Sequence, residues 1–185
     1  MDNEFVRIEP LLEDDREQFI RDNQDAFNYG AMEEFGLRDN HFEEDGEIIS
    51  KETIEQSIDG GTAYRIMYNG KKVGGLVVKV DRKNGELELL FVRPDCHTKG
   101  IGYAAWCAIE EMYPKVKKWE TYTPYFEQRN IHFYINKCGF QAVEFFNKFH
   151  MDPNNPDMEQ MPDTPQEDNF DGMFRFVKIK GQEKR

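Results

Sequence analysis

The chain has 185 residues, of which 38% are hydrophobic and 14% are aromatic, so it is long enough to bury a core and too apolar to be wholly disordered. No apolar run approaches the roughly 20 residues of a membrane span, and the N-terminus has neither the charge nor the apolar segment of a signal peptide. The three cysteines and four histidines show no metal-ligand spacing. These features predict one cytoplasmic domain over residues 1–185, with no metal site and no membrane partner.

The net charge of −12 argues against nucleic acid as a partner, because such binding depends on a basic face. The charge is also unevenly distributed. Residues 1–60 hold 19 acidic against 5 basic side chains, whereas residues 61–150 hold 9 against 14. The middle of the chain therefore suits a polyanion and the first third suits a cation, although acidic helices can equally be solvated faces.

The first third predicts one strand and two helices. A strand is expected over residues 4–11, and Asp14 and Asp15 form the acidic first turn of a helix. Residues 30–46 are acidic and irregular, and a second helix over 51–59 stops at a glycine pair. The first helix carries an apolar stripe that predicts a core face: Phe19, Ile20, Ala26 and Phe27.

Two Asn-Gly pairs predict hairpin turns, one at Asn69-Gly70 within residues 62–80 and one at Asn84-Gly85. The strand that follows, residues 86–92, alternates with period 2 and is ended by Pro94. Strict alternation would place Glu86 and Glu88 on one face with Val92.

The sequence HTKGIG, residues 97–102, leads from this strand into a helical pattern. Two glycines spaced by one residue allow the backbone to approach a ligand closely, and the first N–H groups of the helix point outward. Such a helix end binds phosphate well. A plain glycine turn between a strand and a helix is the alternative.

The remainder predicts a strand over residues 115–124, a helix that ends at Gly139, a strand over 141–150 and a closing strand over 172–180. Residues 151–171 contain four prolines and seven acidic side chains, and they predict a long loop.

Two motifs together resemble the GNAT superfamily of acyl-CoA-dependent N-acetyltransferases. The family has a strand ending in Val-x-Pro and then Gln/Arg-x-x-Gly-x-Gly/Ala, which matches Val92, Pro94, Gly100 and Gly102, with His97 where the family usually has Gln or Arg. The later signature, an Asn before a Tyr-bearing helix that closes at Gly-Phe, is similar to residues 130–140. Four residues separate the tyrosine from the glycine here, where the family more often has three.

The resemblance implies an α/β (α+β) GNAT fold with a mixed central sheet of about six to seven strands flanked by about four helices. It also implies acetyl-CoA as cofactor and transfer of its acetyl group to a primary amine, on a cationic small molecule or a peptide. The residues that it places at coenzyme A are Phe91, Val92, His97, Thr98, Lys99, Gly100, Ile101, Gly102 and Asn130.

Three side chains are candidates for the chemistry. Tyr134 matches the family's tyrosine and would serve as general acid to the departing thiolate, although its helical spacing also fits plain core. Glu88, and after it Glu86, would be the general base that deprotonates the amine, although a salt bridge to a lysine is an alternative. Asn130 can be a helix cap as well as a cofactor contact.

By the resemblance, the acidic linker between the first two helices would face the acceptor amine, and a homodimer is possible because many relatives are dimers. The rival function is a non-catalytic coenzyme A-binding regulatory or interaction module of the same fold.

Overall fold

In a computed structural model of the protein, residues 6–35, 46–154 and 172–181 are described. The chain forms two compact units, Met1–Trp119 and Glu120–Arg185. The single domain expected over residues 1–185 stays a prediction. The acidic linker after residue 35 and most of the predicted loop over 151–171 lie outside the described residues.

The described chain contains four helices and seven strands in a mixed α/β arrangement with mostly antiparallel pairing, which confirms the predicted fold class. The helices are α1 (Arg16–Phe35), α2 (Lys51–Gly60), α3 (Ile101–Met112) and α4 (Gln128–His132). The strands are β1 (Val6–Pro10), β2 (Thr62–Tyr68), β3 (Lys71–Asp81), β4 (Asn84–Val92), β5 (Lys118–Pro124), β6 (Gln141–Phe146) and β7 (Met173–Ile179).

In the first unit, strands β1 to β4 pair in chain order, each antiparallel to the next. The β2–β3 hairpin turns at Asn69 and Gly70, whose φ values are 50° and 76°, as their sequence predicts. The prediction for the second Asn-Gly pair was wrong. Asp81 pairs with Asn84, so the turn consists of Arg82, with φ of 54°, and the lysine after it.

Gly85 belongs to β4, where it makes room for an aromatic ring. A Cβ atom at this position would lie 2.5 Å from Cε3 of Trp119. Trp119 in turn packs edge to face against Trp106 of α3, with ring centroids 5.3 Å apart. Both tryptophans are buried, so this glycine serves the packing of α3 on the sheet and is no part of the turn.

Helix α1 covers the opposite side of these strands with its predicted apolar stripe. Phe19, Ile20 and Ala26 are buried in one cluster with residues of α2, β3 and β4, and Phe27 packs at its edge. Burying each large side chain contributes roughly 1.5–3 kcal/mol. The helix continues to Phe35, beyond the expected end at residue 30. The hydroxyl of Tyr29 donates to Glu33 Oε1, at 2.6 Å, and this one-turn contact supports the added length.

A buried ionic group, here called the Arg65 cluster, joins β2 to the start of α1. Arg65, 2% exposed, donates from Nε to Asp15 Oδ2 at 2.7 Å and from Nη1 to Asp22 Oδ2 at 2.9 Å. Lys72 lies 2.9 Å from Asp15, and the Arg65 guanidinium lies 5.2 Å from the centre of the Phe19 ring. Asp15 therefore belongs to this cluster and lies in the acidic 3₁₀ turn, Glu13–Asp15, that leads directly into α1.

Helix α2 begins where its sequence predicts. Ser50 is the N-cap residue, and its Oγ accepts a hydrogen bond from Thr53 N at 3.1 Å. The helix ends at Gly60, and Gly61 follows in extended backbone. Gly61 lies close to β3, since a Cβ atom there would lie 2.8 Å from Cγ1 of Val77. The glycine pair therefore ends the helix and also allows it to approach the sheet.

In the second unit, β7 lies between β5 and β6 and is antiparallel to β6. Helix α4 is followed by a π-helical turn, Phe133–Lys137, in which the N–H of Cys138 donates to the carbonyl of Phe133 at 3.0 Å. Strand β6 ends at Phe146, earlier than expected, because Asn147 and His150 form a tight turn with two mutual backbone hydrogen bonds of 3.0 Å.

Candidate active site

The predicted phosphate turn begins directly after β4. Pro94–Lys99 form a short 3₁₀ turn, and Gly100 follows in the left-handed conformation with φ of 67° and ψ of 15°. Only glycine adopts this conformation routinely. Gly100 caps α3 without any side chain, its carbonyl accepting from Ala104 N at 3.1 Å. The backbone N–H groups at the start of a 12-residue helix are thus presented as an anion site requires.

The other residues expected in this turn divide into two groups. Ile101 is 1% exposed and anchors the first turn of α3 in the core, while Gly102 is half-buried. The side chains of His97, Thr98 and Lys99 lie outside the described part of the chain, although their backbone belongs to the turn. Any contact made by these three side chains stays a prediction.

The end of β4 pairs with two consecutive glycines of β3. Gly74 and Gly75 pair with Val92 and Phe91. A Cβ atom at Gly75 would overlap the ring of Phe19 and would lie 2.8 Å from Cε1 of Phe91. The Phe19 and Phe91 rings meet edge to face with centroids 5.0 Å apart. The Phe91–Val92 backbone is therefore fixed by packing on the α1 side.

Strand β4 does not alternate strictly, and the expectation that Glu86 and Glu88 share a face with Val92 is corrected. Val77 pairs with Leu89 and Val78 pairs with Leu87, which leaves Glu88 as an extra residue in a β-bulge. Glu88 contacts α2 and Phe91 contacts α1, although they are three residues apart. The bulge shifts every later side chain of the strand to the other face.

Glu88, Ser57 and Lys79 form a second ionic group, here called the Glu88 cluster. Lys79 Nζ lies 2.6 Å from Glu88 Oε1, and Ser57 Oγ donates to Glu88 Oε2 at 2.9 Å. The Glu88 side chain is 14% exposed and that of Lys79 is 43% exposed. The salt bridge considered as an alternative for Glu88 is therefore present. Glu86 is half-buried and pairs with Lys79 in the ladder.

Tyr134 lies in the aromatic core of the second unit. Its ring centroid is 5.7 Å from that of Phe140 and 6.2 Å from that of Phe176, and the residue is 8% exposed. Burial raises the pKa of its hydroxyl above the ordinary 10.0, although a hydrogen bond with Thr121 acts in the opposite direction. The hydroxyl is thus fully protonated at neutral pH and able to donate.

The π turn accounts for the unusual spacing between Tyr134 and Gly139. A π turn holds one more residue than an α turn, so the additional residue is absorbed while Tyr134 and Cys138 both stay buried. Asn130 lies within α4 and its amide donates to the carboxylate of Glu127 at the start of that helix. The N-cap residue of α4 is Glu127, so Asn130 is not a helix cap, and its contact with coenzyme A stays a prediction.

The first unit thus brings Glu86, Glu88, Phe91 and Val92 together on β4, next to the Gly100 turn, while Tyr134 and Asn130 belong to the second unit. The residues missed from the sequence are the partners of Glu88, which are Ser57 and Lys79. A lysine directly after the apolar run of β3 was one available signal. Nothing local to α2 marks its serine.

Within residues 6–35, 46–154 and 172–181, no helix is long and apolar enough to cross a membrane. The same residues contain no group of three or more His, Cys, Asp or Glu side chains arranged to hold a metal ion.

Comparison with known proteins gives one consistent result. The sequence profile of the Acetyltransferase (GNAT) family matches residues 11–140. YrkN of Bacillus subtilis (strain 168), an uncharacterised protein, is 43% identical over 178 residues, which cover 94% of this chain and 93% of that protein.

Solved structures agree in fold. The PaiA N-acetyltransferase of Thermoplasma acidophilum, in complex with coenzyme A, superposes with a TM-score of 0.62 at 17% identity, covering 94% of this chain and 98% of that one. The ribosomal-protein-S18-alanine N-acetyltransferase of Escherichia coli gives a TM-score of 0.63 at 15% identity, covering 97% of each chain. The profile match, which spans both motifs and most of the chain, establishes that the protein belongs to the GNAT family of acetyltransferases.

Proposed function

We propose that the protein transfers the acetyl group of acetyl-CoA to a primary amine. The observation that carries this proposal is the left-handed Gly100 opening α3 after β4, in a chain of the GNAT acetyltransferase family. A relative of the same fold was solved with coenzyme A bound. The family and the fold support acetyl transfer, and the geometry of the turn supports a phosphate-bearing donor.

Coenzyme A would be held mainly by backbone groups. Its pyrophosphate would accept hydrogen bonds from N–H groups of residues 97–102, where the helix end adds favourable charge. The Phe91–Val92 backbone, which Gly74 and Gly75 hold in place, would bind the acyl end of the cofactor and stabilise the oxyanion. The positive balance of residues 61–150 agrees with a polyanionic cofactor.

The reaction needs two proton movements. At neutral pH the acceptor enters as an ammonium, with a pKa near about 10, and a base must take a proton before the nitrogen can attack. The C–N bond then forms and the C–S bond breaks. Of the two protons that the nitrogen loses, one leaves through the base to solvent and one ends on the thiolate, whose pKa resembles that of cysteine at about 8.5.

We assign the base to Glu88, with Glu86 as the alternative, and the acid to Tyr134. Glu88 is a carboxylate on β4, and its side chain is 14% exposed, so it is not closed off from a bound amine. Tyr134 is protonated and keeps a donor hydroxyl. Asn130 would add a cofactor contact. These assignments rest on the family resemblance of the positions and on the chemistry of the groups.

The acceptor is proposed to be cationic, either a small amine or the amine of a peptide. The first 60 residues hold 19 acidic against 5 basic side chains, which favours approach of a cation. One structural relative is an N-acetyltransferase of ribosomal-protein-S18-alanine, which keeps a peptide amine among the candidates.

Thiol release from acetyl-CoA tests the function directly. Wild type, Tyr134→Phe and the control Tyr125→Phe, which alters an exposed tyrosine, are assayed against polyamines, aminoglycosides, amino acids and basic peptides. We expect release with one amine class and a loss of about 10²- to 10⁴-fold in kcat for Tyr134→Phe alone. Full activity of Tyr134→Phe would reject Tyr134 as the general acid, while the proposed acetyl transfer would still stand.

The second candidate is a coenzyme A-binding module without turnover. Two observations favour it, since Glu88 is engaged by Lys79 and Tyr134 is packed among aromatic rings. Calorimetric binding of coenzyme A, with no thiol release across the amine panel and no effect of Tyr134→Phe on binding, would establish this candidate and reject the first.

A further inference from the structure

Resting on the proposed function, we infer that Ser57 and Lys79 are positioning residues, which hold the Glu88 carboxylate in the orientation that receives the acceptor's proton. The β-bulge in β4 sets the direction of the Glu88 side chain. Because Glu88 is the extra residue between Leu87 and Leu89, its side chain turns to the α2 side of the sheet. Bulges often redirect a side chain next to an active site.

Both carboxylate oxygens are held, and by different elements of the fold. Ser57 of α2 donates to Oε2 at 2.9 Å, and Lys79 of β3 lies 2.6 Å from Oε1. Two partners on two oxygens fix the plane of the carboxylate, which a single partner would leave free to rotate. An ionised carboxylate has about four lone-pair sites, so two stay available for a substrate N–H.

The end of α2 is shaped to allow these contacts. A Cβ atom at Gly60 would lie 3.2 Å from Cε of Lys79, and one at Gly61 would lie 2.9 Å from the carbonyl oxygen of Val78. Larger residues at either position would move the helix end or the lysine. The glycine pair therefore keeps Ser57 within reach of Glu88, in addition to ending the helix.

Solvent exposure increases from Ser57 on α2, through Glu88, to Lys79. Ser57 is 9% exposed, whereas the side chains of Glu88 and Lys79 are 14% and 43% exposed. The serine thus holds Glu88 from the protected side, and the lysine holds it from the solvent side. If Glu88 only joined α2 to the sheet, the hydrogen bond from Ser57 would be enough. Neither the solvent exposure of Glu88 nor its contact with Lys79 would then be needed.

The test is a set of variants measured for kcat and for the KM of acetyl-CoA and of the amine. We expect Ser57→Ala to lower kcat about tenfold, the loss typical of one hydrogen bond to a charged group, with the KM of acetyl-CoA unchanged. Ser57→Thr, which keeps the hydroxyl, should restore most of kcat. Gln56→Ala, on the exposed neighbouring position, is the matched control and should equal wild type. Lys79→Met should lower kcat and Lys79→Arg should restore it.

A double-mutant cycle separates positioning from general damage. If Ser57 acts through Glu88, Ser57→Ala should cause no further loss in a Glu88→Gln background. An equal loss in both backgrounds, or a Ser57→Ala kcat equal to that of Gln56→Ala, overturns the inference. Thermal unfolding and coenzyme A binding of each variant show that it is folded.

The failure of this inference is distinct from failure of the proposed function. An active wild type with an equally active Glu88→Gln variant overturns the inference and leaves acetyl transfer in place. A wild type that binds coenzyme A but releases no thiol with any amine overturns both.

Discussion

The Arg65 cluster and the Glu88 cluster are both ionic groups between the same sheet and the helices on one of its faces, yet they differ in enclosure. In the Arg65 cluster the arginine side chain is 2% exposed and its two aspartates are 8% and 9% exposed, and only Lys72, the outer partner of Asp15, reaches solvent at 49%. In the Glu88 cluster the glutamate is 14% exposed and its partner Lys79 is 43% exposed. An enclosed arginine with enclosed aspartates suits a structural role, because these charges cannot meet a substrate. A partly open ion pair can still exchange protons.

The largest expected effect is on the enclosed group. Arg65→Met should lower the free energy of unfolding by about 3–5 kcal/mol, because Asp15 and Asp22 would be left as buried charges without their main partner. Urea unfolding measures this loss. Arg82→Met, at an exposed arginine in the β3–β4 turn, is the control. Equal losses in the two variants would contradict the structural role.

The second prediction concerns pH. Burial acts to raise the pKa of Asp15, but the hydrogen bonds and charges of Arg65 and Lys72 outweigh it and hold that pKa below the ordinary 3.8. A depressed carboxyl pKa contributes stability that is present above the unfolded-state pKa and is lost as pH falls through the folded-state pKa. Asp15→Asn should therefore be less stable than wild type by about 1–3 kcal/mol at pH 7.

The difference between wild type and Asp15→Asn should shrink as the pH falls below 3.8. Urea unfolding of both proteins between neutral and strongly acidic pH measures it. A difference that stays constant over that range would mean that Asp15 does not owe its contribution to its charge.

The smallest expected effect on stability belongs to the open group. Lys79→Met should change the free energy of unfolding by about 1 kcal/mol or less, since its ammonium is well solvated, while kcat falls as described above. Urea unfolding and thiol release on the same preparations compare the two. A stability loss as large as that of Arg65→Met would assign the Glu88 cluster to the fold rather than to the reaction.

Local patterns predicted the elements well, because they depend on neighbours in sequence. The apolar stripe of α1, the Ser50 cap and the Asn69-Gly70 turn are all found as expected. The Asn84-Gly85 turn failed for a tertiary reason, since the glycine is required by the Trp119 ring. No pattern of neighbours reveals that requirement.

The candidate site was predicted only where it depends on local sequence, and not where it depends on tertiary contacts. The Gly100 turn follows from local sequence, and the position of Glu88 on β4 follows from alternation. The bulge at Glu88 depends on pairing with β3, and its partner Ser57 comes from a helix 31 residues earlier in the chain. The contact between Asp15 and Arg65, which are 50 residues apart, could not be predicted from the sequence either.

The two tryptophans have a practical consequence. Trp106 and Trp119 are the only tryptophans of the chain, and both lie in the first unit, in contact with each other. Intrinsic tryptophan fluorescence therefore reports mainly on the packing of α3 against β4, whereas far-ultraviolet circular dichroism reports on both units. Coincident melting curves from these two signals would show that the units unfold together, and separate curves would show that each has a transition of its own.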